Sequence, residues 1–194
     1  MTSTHESRWQ AVVVVDMQND FFNDPELDRC RDDLVAACNT VTSRALERGL
    51  LVVEVRTVHA QDGSTWTLNM LEDDAGIVLE GTDGVEPLDG LLHAGTTDGI
   101  LLAQKTRDSA FHNTELDQLL KARGVEAFLL CGVSTESCVA ATAVDAYAHD
   151  LRVGIVIDAT ASVRWDLHVQ TLRSLKEQYR QSTLSSDPAV ATLA

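Results

Sequence analysis

The sequence predicts a three-layer α/β/α fold, built on a doubly wound, mostly parallel sheet of six strands in the order 3-2-1-4-5-6. Two observations predict this class. Apolar runs without alternation, at 11–15 and 127–133, are typical of strands buried on both faces of a parallel sheet. Segments with helical spacing alternate with such runs along the chain, which indicates helices packed on both faces of the sheet.

The elements follow one another in a regular order. The predicted strands cover residues 11–16, 50–57, 98–104, 126–132 and 152–158. The predicted helices cover residues 27–48, 114–123, 135–149 and 166–180. Gly49 and Gly124 follow the first two helices directly, where glycine favours the left-handed cap that ends a helix. A short apolar segment follows the last helix.

The stretch 58–97 does not fit this alternation. Its length of about forty residues exceeds what compact domains leave unstructured, so we expect short elements or a functional loop there. Its apolar residues suit the roof of a pocket or a contact with a second subunit: Trp66, Leu68, Met70 and Leu71. A surface excursion that packs on its own sheet is an equally good alternative. The whole chain, 1–194, is predicted to form one domain with its core in 11–184.

The composition of the chain limits the classes of partner that it is expected to bind. The chain has 15 basic and 30 acidic side chains and a formal charge of −15, which argues against nucleic acid and anionic membranes as partners. The first ten residues are polar and contain no apolar signal segment, and no run reaches membrane-spanning length. Four scattered cysteines suit a reducing compartment. We therefore expect a cytoplasmic protein with a small-molecule substrate.

Three reactive side chains stand where predicted strands end: Asp16, Lys105 and Cys138. The carboxyl ends of strands line the ligand crevice of open α/β sheets, so we expect the three to converge as a nucleophile with its base and orienter. Cys138 also lies in the first turn of a helix, where the dipole favours a thiolate and lowers the thiol pKa. Taken singly, each has a simpler explanation as a buried apolar cysteine, a helix cap or a solvated lysine.

The sequences around these residues resemble the isochorismatase-like cysteine hydrolases, which include nicotinamidases, N-carbamoylsarcosine amidases and ureido hydrolases. The resemblance rests on V-D-M-Q-N-D-F around Asp16, K-x-x-x-S-A-F from Lys105 and G-V-S-T-E-S-C-V around Cys138, and it covers residues 11–184. It implies that Cys138 is the nucleophile, Asp16 the general base and Lys105 the cation between them. It further implies an oxyanion hole made by the amides of Ser134 and Cys138, with a cis peptide between Val133 and Ser134.

The expected activity is hydrolysis of an amide or ureido C–N bond through a thioester. Family members that cleave the vinyl ether of isochorismate need no cysteine, so Cys138 disfavours that alternative. Nicotinamidases typically carry a metal-binding Asp-x-His after the second strand, whereas this chain has Thr57, Val58 and His59. A lone histidine makes a poor metal site, so we expect no metal or other cofactor, and a metal-dependent nicotinamidase remains an alternative.

Further expectations concern the substrate and the assembly. The expected substrate contacts are Gln18, Phe22, Trp66, Phe111 and Arg164. Some relatives hold a substrate carboxylate with an arginine near the position of Arg164, although a solvated charge at a helix start explains this residue equally well. A homo-oligomer, either dimer or tetramer, is expected. A non-enzymatic binding or scaffold relative with an unused triad stays open, and the sequence does not identify the substrate.

Overall fold

A single sheet organises the computed structural model, which describes residues 8–194; the polar segment 1–7, on which the expected lack of a signal segment largely rests, lies outside the described residues. The six strands of this sheet are β1 (Ala11–Val15), β2 (Leu51–Thr57), β3 (Ile100–Lys105), β4 (Ala127–Val133), β5 (Arg152–Ala161) and β6 (Ser182–Leu184). Their order is β3-β2-β1-β4-β5-β6 and every pairing is parallel. The predicted order is therefore confirmed, and the sheet is parallel throughout rather than mostly.

Helices cover both faces of the sheet. They are α1 (Pro25–Asp28), α2 (Arg31–Glu47), α3 (Leu68–Asp73), α4 (Leu116–Ala122), α5 (Ala140–Ala148), α6 (Trp165–Gln178) and α7 (Ser186–Ala191). The predicted helix 27–48 is in fact two helices, α1 and α2. The first of them starts earlier than expected, at Pro25. Asp24 accepts a hydrogen bond from the amide of Glu26 at 2.8 Å, and Pro25 occupies the first helical position.

The core forms two apolar layers, one on each side of the sheet. Strand β1 is buried along its whole length. Val12 and Val14 belong to the cluster that contains α2, whereas Val13 and Val15 belong to the cluster that contains α5. This alternation explains why the strand reads as an unbroken apolar run, since each face of the sheet requires apolar side chains.

Strand β5 runs three residues further than predicted and is irregular. Leu130 pairs with Ile155, but Gly132, two residues later on β4, pairs with Thr160. The extra residues of β5 form a bulge, and two of them, Ile157 and Asp158, are exposed. The predicted strand ends at Asp158, inside this irregular region, whereas β5 continues to Ala161.

The stretch 58–97 packs against its own domain. Leu88 and Leu91 are buried in the same cluster as α2, and the segment also contains α3 and a 3₁₀ turn, Asp83–Val85. Leu68 and Leu71 are exposed, whereas Met70 is buried. Within residues 8–194, no helix has both the length and the apolar character needed to cross a membrane.

Candidate active site

The structure brings the three predicted catalytic side chains together at the carboxyl ends of the strands. Lys105 Nζ lies 2.7 Å from Asp16 Oδ2 and 3.4 Å from Cys138 Sγ. The side chains of Lys105 and Asp16 are 1% and 0% exposed. A buried ion pair in contact with a thiol excludes the simpler explanations, since Lys105 is not solvated and Cys138 has charged neighbours.

Thr57, the last residue of β2, completes the cluster and was missed by sequence reasoning. Its hydroxyl donates to Asp16 Oδ1 at 2.8 Å and accepts from Lys105 Nζ at 2.7 Å. Its amide also donates to Asp16 Oδ1 at 3.0 Å. The sequence did contain a signal for Thr57, because the predicted order 3-2-1 places the end of the second strand between Asp16 and Lys105. The pattern Thr57-Val58-His59 draws attention to Thr57 only as the position of a missing metal ligand.

Asp16 is held in an unusual backbone conformation and has two distinct carboxylate oxygens. Its φ of +56° lies in the left-handed region, which non-glycine residues seldom adopt outside turns and functional sites. Oδ1 receives both donors of Thr57. Oδ2 contacts Lys105 as an ion pair, but among the described residues it has no partner with hydrogen-bond alignment. This second oxygen therefore keeps a lone pair with which to accept a proton.

The charges of the site differ from the sequence expectation. Burial raises the pKa of the Cys138 thiol, the negative charge of Asp16 raises it further, and the positive charge of Lys105 opposes both. For Lys105, burial disfavours the charge, but Asp16 and Cys138 outweigh burial and raise the pKa. The expected lowering of the Cys138 pKa is wrong, because the helix-start argument ignores burial next to a carboxylate. The resting site holds a neutral thiol beside an ion pair.

The backbone before Cys138 turns tightly. Gly132 has a φ of +117°, and a Cβ atom there would lie 1.9 Å from the carbonyl oxygen of Val15. The peptide bond between Val133 and Ser134 is cis. The residues Thr135–Val139 form a single π-helical turn ahead of α5, in which the amides of Ser137 and Val139 both donate to the carbonyl of Ser134 at 3.2 Å. The nucleophile thus lies in a distinct turn before the regular helix.

A cavity of about 640 Å³ opens over this cluster. Its wall combines catalytic candidates with other polar side chains and a few apolar ones, among them Phe21, Thr57, His59, Asn69, Met70, Lys105, Arg107, Asp108, His112 and Cys138. The stretch 58–97 supplies several of these, and Met70 is the one of its four apolar residues named above that lines the cavity. The volume suits a small molecule.

Gln18 and Phe22, the two expected substrate contacts near the first motif, do not line the cavity. Gln18 is fully buried and donates to the carbonyls of Thr57 and Val85, each at 2.9 Å. Phe22 belongs to the core, and its neighbour Phe21 lines the cavity instead. Both corrections have one reason: side chains in the turn after β1 point to different sides, which the apolar pattern does not reveal.

The three remaining expected contacts are also absent from the cavity wall. Phe111 packs in the core and stacks on His149, with ring centroids 4.9 Å apart. Trp66 does not line the cavity, and its indole N–H donates to the carbonyl of Ala60 at 2.9 Å. Arg164 is exposed and pairs with Asp166 at 2.7 Å, which supports its alternative explanation as a solvated charge.

The surroundings of His59 differ from an Asp-x-His metal site, because Thr57 stands where the Asp would be. His59 Nδ1 lies 3.0 Å from the carbonyl oxygen of Thr65, so a proton on Nδ1 leaves Nε2 as the ring nitrogen able to bind a ligand. Burial lowers the pKa of His59, and the nearby charges of Arg107 and Lys105 lower it further, against the opposing hydrogen bond of Thr65. In the part of the chain that the structure describes, no three His, Cys, Asp or Glu side chains are grouped to hold a metal.

The chain combines a doubly wound parallel sheet with a carboxylate, an ammonium and a thiol at its strand ends, and comparison with known proteins assigns it to a family. Residues 10–187 match the Isochorismatase domain, and the chain belongs to the isochorismatase family.

The relatives of this chain include amidases. A probable inactive nicotinamidase from Arabidopsis thaliana is 33% identical over 178 residues, which cover 87% of this chain and 90% of that protein. Maleamate amidohydrolase from Pseudomonas putida is 31% identical over 140 residues, 70% of this chain and 63% of that protein. The solved structure of N-carbamoylsarcosine amidase from Thermoplasma acidophilum has a TM-score of 0.76 at 29% identity, covering 91% of this chain and 96% of that one. The chain is therefore an isochorismatase-family hydrolase with amidase relatives.

Proposed function

We propose that this protein is a cysteine-dependent hydrolase that cleaves an amide or ureido C–N bond of a small molecule through a thioester. The observation that carries the proposal is the contact of one buried ammonium, Lys105, with both Asp16 and Cys138 on the wall of a cavity of about 640 Å³. Family relatives named as amidases support C–N rather than vinyl-ether cleavage.

The first step is attack on the substrate carbonyl. Because the resting thiol is neutral, Cys138 must lose its proton as Sγ bonds to carbon, and Asp16 Oδ2 is the oxygen with a lone pair to receive it. Lys105 contacts both groups, so it stabilises the negative charge before and after the proton moves. The charge that develops on the substrate oxygen is expected to be stabilised by the amides of Ser134 and Cys138.

The second step breaks the C–N bond. Asp16 returns the proton to the leaving nitrogen, which departs as ammonia or an amine and leaves a thioester on Cys138. A water molecule then attacks the thioester carbon, Asp16 takes a proton from that water, and the thiol is restored when the acid product leaves. Protons balance over the cycle, because each one that Asp16 accepts is returned to a leaving group.

Ammonia release from a panel of amides, ureido acids and nicotinamide tests this proposal. The Cys138→Ala variant should lose activity by at least about a thousandfold, because no other nucleophile replaces the thiol, and Cys138→Ser should be nearly as inactive. Cys30→Ala is the matched control and should retain activity, since Cys30 lies outside this cavity. Dialysis against EDTA should leave the rate unchanged, because Thr57 lacks the carboxylate that would accompany His59 and, among residues 8–194, no three His, Cys, Asp or Glu side chains are grouped to hold a metal.

Two results would contradict the proposal. Substantial hydrolysis by Cys138→Ala would remove the cysteine from the mechanism. Binding of the panel compounds without any turnover by the wild-type protein would favour a non-catalytic relative with an unused triad.

A further inference from the structure

We propose that His168 is a positioning residue for the hydrolysis, because through Thr135 it fixes the turn that carries Cys138. The inference rests on the proposed function of this site and adds a residue, His168, from outside the three sequence motifs. Neither His168 nor Thr135 lines the cavity over Cys138. Their effect on the reaction therefore acts through the backbone of the turn rather than through contact with a substrate.

The side chain of Thr135 joins the turn to two other elements. Thr135 is fully buried and is the first residue of the π-helical turn. Its Oγ1 lies 3.0 Å from the carbonyl oxygen of Ala161, at the end of β5, and 2.8 Å from Nδ1 of His168, on α6. A hydroxyl has one proton and a carbonyl only accepts, so Thr135 donates to Ala161 and His168 Nδ1 donates to Thr135.

The ring of His168 is itself held in place. His168 is buried, and its ring stacks on the indole of Trp165 with centroids 5.0 Å apart and an angle of 18° between the planes. Burial lowers the pKa of His168, against the opposing negative charge of Glu136, which favours the neutral ring. A neutral ring with its proton on Nδ1 supplies the one donor that Thr135 requires.

Other side chains at the start of the turn do not supply this attachment. Among the described residues, Ser134 makes no side-chain capping bond and Glu136 Oε2 has no hydrogen-bond partner. The two backbone bonds to the carbonyl of Ser134 close the turn on itself. The bond from His168 therefore secures the turn from outside, at Thr135, which lies between the two residues whose amides are expected to stabilise the oxyanion. Small displacements of such groups slow a reaction strongly.

Two pairs of substitutions test this role. Thr135→Val and His168→Leu each remove one partner, whereas Thr135→Ser keeps the hydroxyl and His168→Asn keeps a donor close to the position of Nδ1. Ammonia release from the best substrate of the panel should show kcat at least about tenfold lower in the first two variants, with KM changed by less than about twofold, because the nucleophile is displaced and the cavity wall is not. The two conservative variants should keep kcat within about threefold of the wild type.

Hydrogen exchange measures the hold on the turn without requiring turnover. The amides of residues 135–139 should exchange at least about tenfold faster in Thr135→Val and in His168→Leu than in the wild type, since the turn opens more readily without its anchor. Thr135→Ser and His168→Asn should show the wild-type exchange. If one of the two disruptive variants does not fold, the other decides the result.

Gln181→Leu is the matched control for a loss of buried hydrogen bonds. Gln181 is buried outside the cavity, and its side chain accepts from the amide of Val153 at 2.8 Å and donates to the carbonyl of Ala143 at 3.0 Å. This variant should unfold at lower urea concentration, yet its kcat and the exchange of residues 135–139 should match the wild type.

Three results would overturn the inference: wild-type kcat and exchange in the folded disruptive variants, failure of both conservative variants to restore them, or an equal loss of kcat in Gln181→Leu. Failure of the hydrolase proposal would look different, because it requires wild-type protein that releases no ammonia or a Cys138→Ala variant that still does. In that event the exchange measurement alone decides whether His168 holds the turn.

Discussion

Breaking the buried ion pair between Asp16 and Lys105 by removing one partner should be strongly destabilising. The two charged atoms lie 2.7 Å apart on side chains that are 0% and 1% exposed. At an effective dielectric constant of about 20, Coulomb's law gives an attraction of about 6 kcal/mol at the 2.7 Å separation. Removing one partner loses this attraction and leaves the other charge buried, so Asp16→Asn and Lys105→Met should each destabilise the fold by about 3–5 kcal/mol.

The double variant should be far more stable than the sum of the single changes implies. Once both charges are gone, no unpaired charge remains buried, and we expect a coupling energy of about 2–4 kcal/mol. Asparagine tolerates the left-handed backbone at position 16, so the Asp16→Asn result reports on charge rather than backbone strain. Urea unfolding at pH 7 measures the four free energies of unfolding.

The surface pair Arg164–Asp166 provides a matched control. Its separation is also 2.7 Å, but its side chains are 60% and 54% exposed. Because solvent screens exposed pairs, the cycle of Arg164→Gln and Asp166→Asn should give a coupling far smaller than that of the buried pair. Equal coupling in the two cycles would refute the argument that burial strengthens the catalytic pair.

The pH of the measurement follows from the sign of the lysine shift. The pKa of Lys105 is raised in the folded protein, because Asp16 and Cys138 outweigh the opposing effect of burial. The stabilisation is therefore fully present below the unfolded pKa of about 10.4 and is lost as the pH rises through the folded value. The coupling measured at pH 7 should accordingly persist at pH 9.

Three further outcomes are expected. Thr57→Val should destabilise by about 2–4 kcal/mol, since its hydroxyl bonds two charged groups, whereas Thr160→Val, which loses one 3.4 Å bond to a carbonyl, should cost no more than about 1 kcal/mol in urea unfolding. Gly132→Ala should prevent folding or cost more than about 3 kcal/mol, because its Cβ would meet a carbonyl oxygen at 1.9 Å, while Gly49→Ala, with open space around it, should cost about 1 kcal/mol. Alkylation of Cys138 by iodoacetamide should still accelerate above about pH 8.5, because burial raises its pKa; a rate that levels off by pH 7 would contradict this.

Patterns that depend on the backbone were readable from the sequence. The apolar runs and the residues directly after them predicted the strand order and the meeting of Asp16, Lys105 and Cys138, because parallel strands present their carboxyl ends at one edge. The contacts of Thr57 with Asp16 and Lys105 were not predicted. They depend on which hydrogen bonds a side chain makes after folding, and a threonine at a strand end is not unusual in itself.

The substrate contacts were predicted poorly for a related reason. Phe21 and Phe22 are adjacent in sequence, yet one lines the cavity and the other is in the core. Sequence reasoning placed Phe22 at the substrate because no periodic pattern distinguishes the two within a short turn. Arg164 was placed by its position after the fifth strand, but the bulge in β5 and the pairing with Asp166 leave it exposed on the surface.

The neutral thiol at rest has a consequence for how the site limits its reactivity. Moving the proton from Cys138 to Asp16 shifts the negative charge from 2.7 to 3.4 Å away from Lys105 Nζ. At an effective dielectric constant of about 20, this shift weakens the attraction by only about 1 kcal/mol between the 2.7 and 3.4 Å positions. Burial and the negative charge of Asp16 both raise the pKa of the Cys138 thiol, and the opposing charge of Lys105 does not offset them. Under the proposed mechanism the free thiolate is therefore disfavoured, and the proton leaves Cys138 only as Sγ bonds to a substrate carbon.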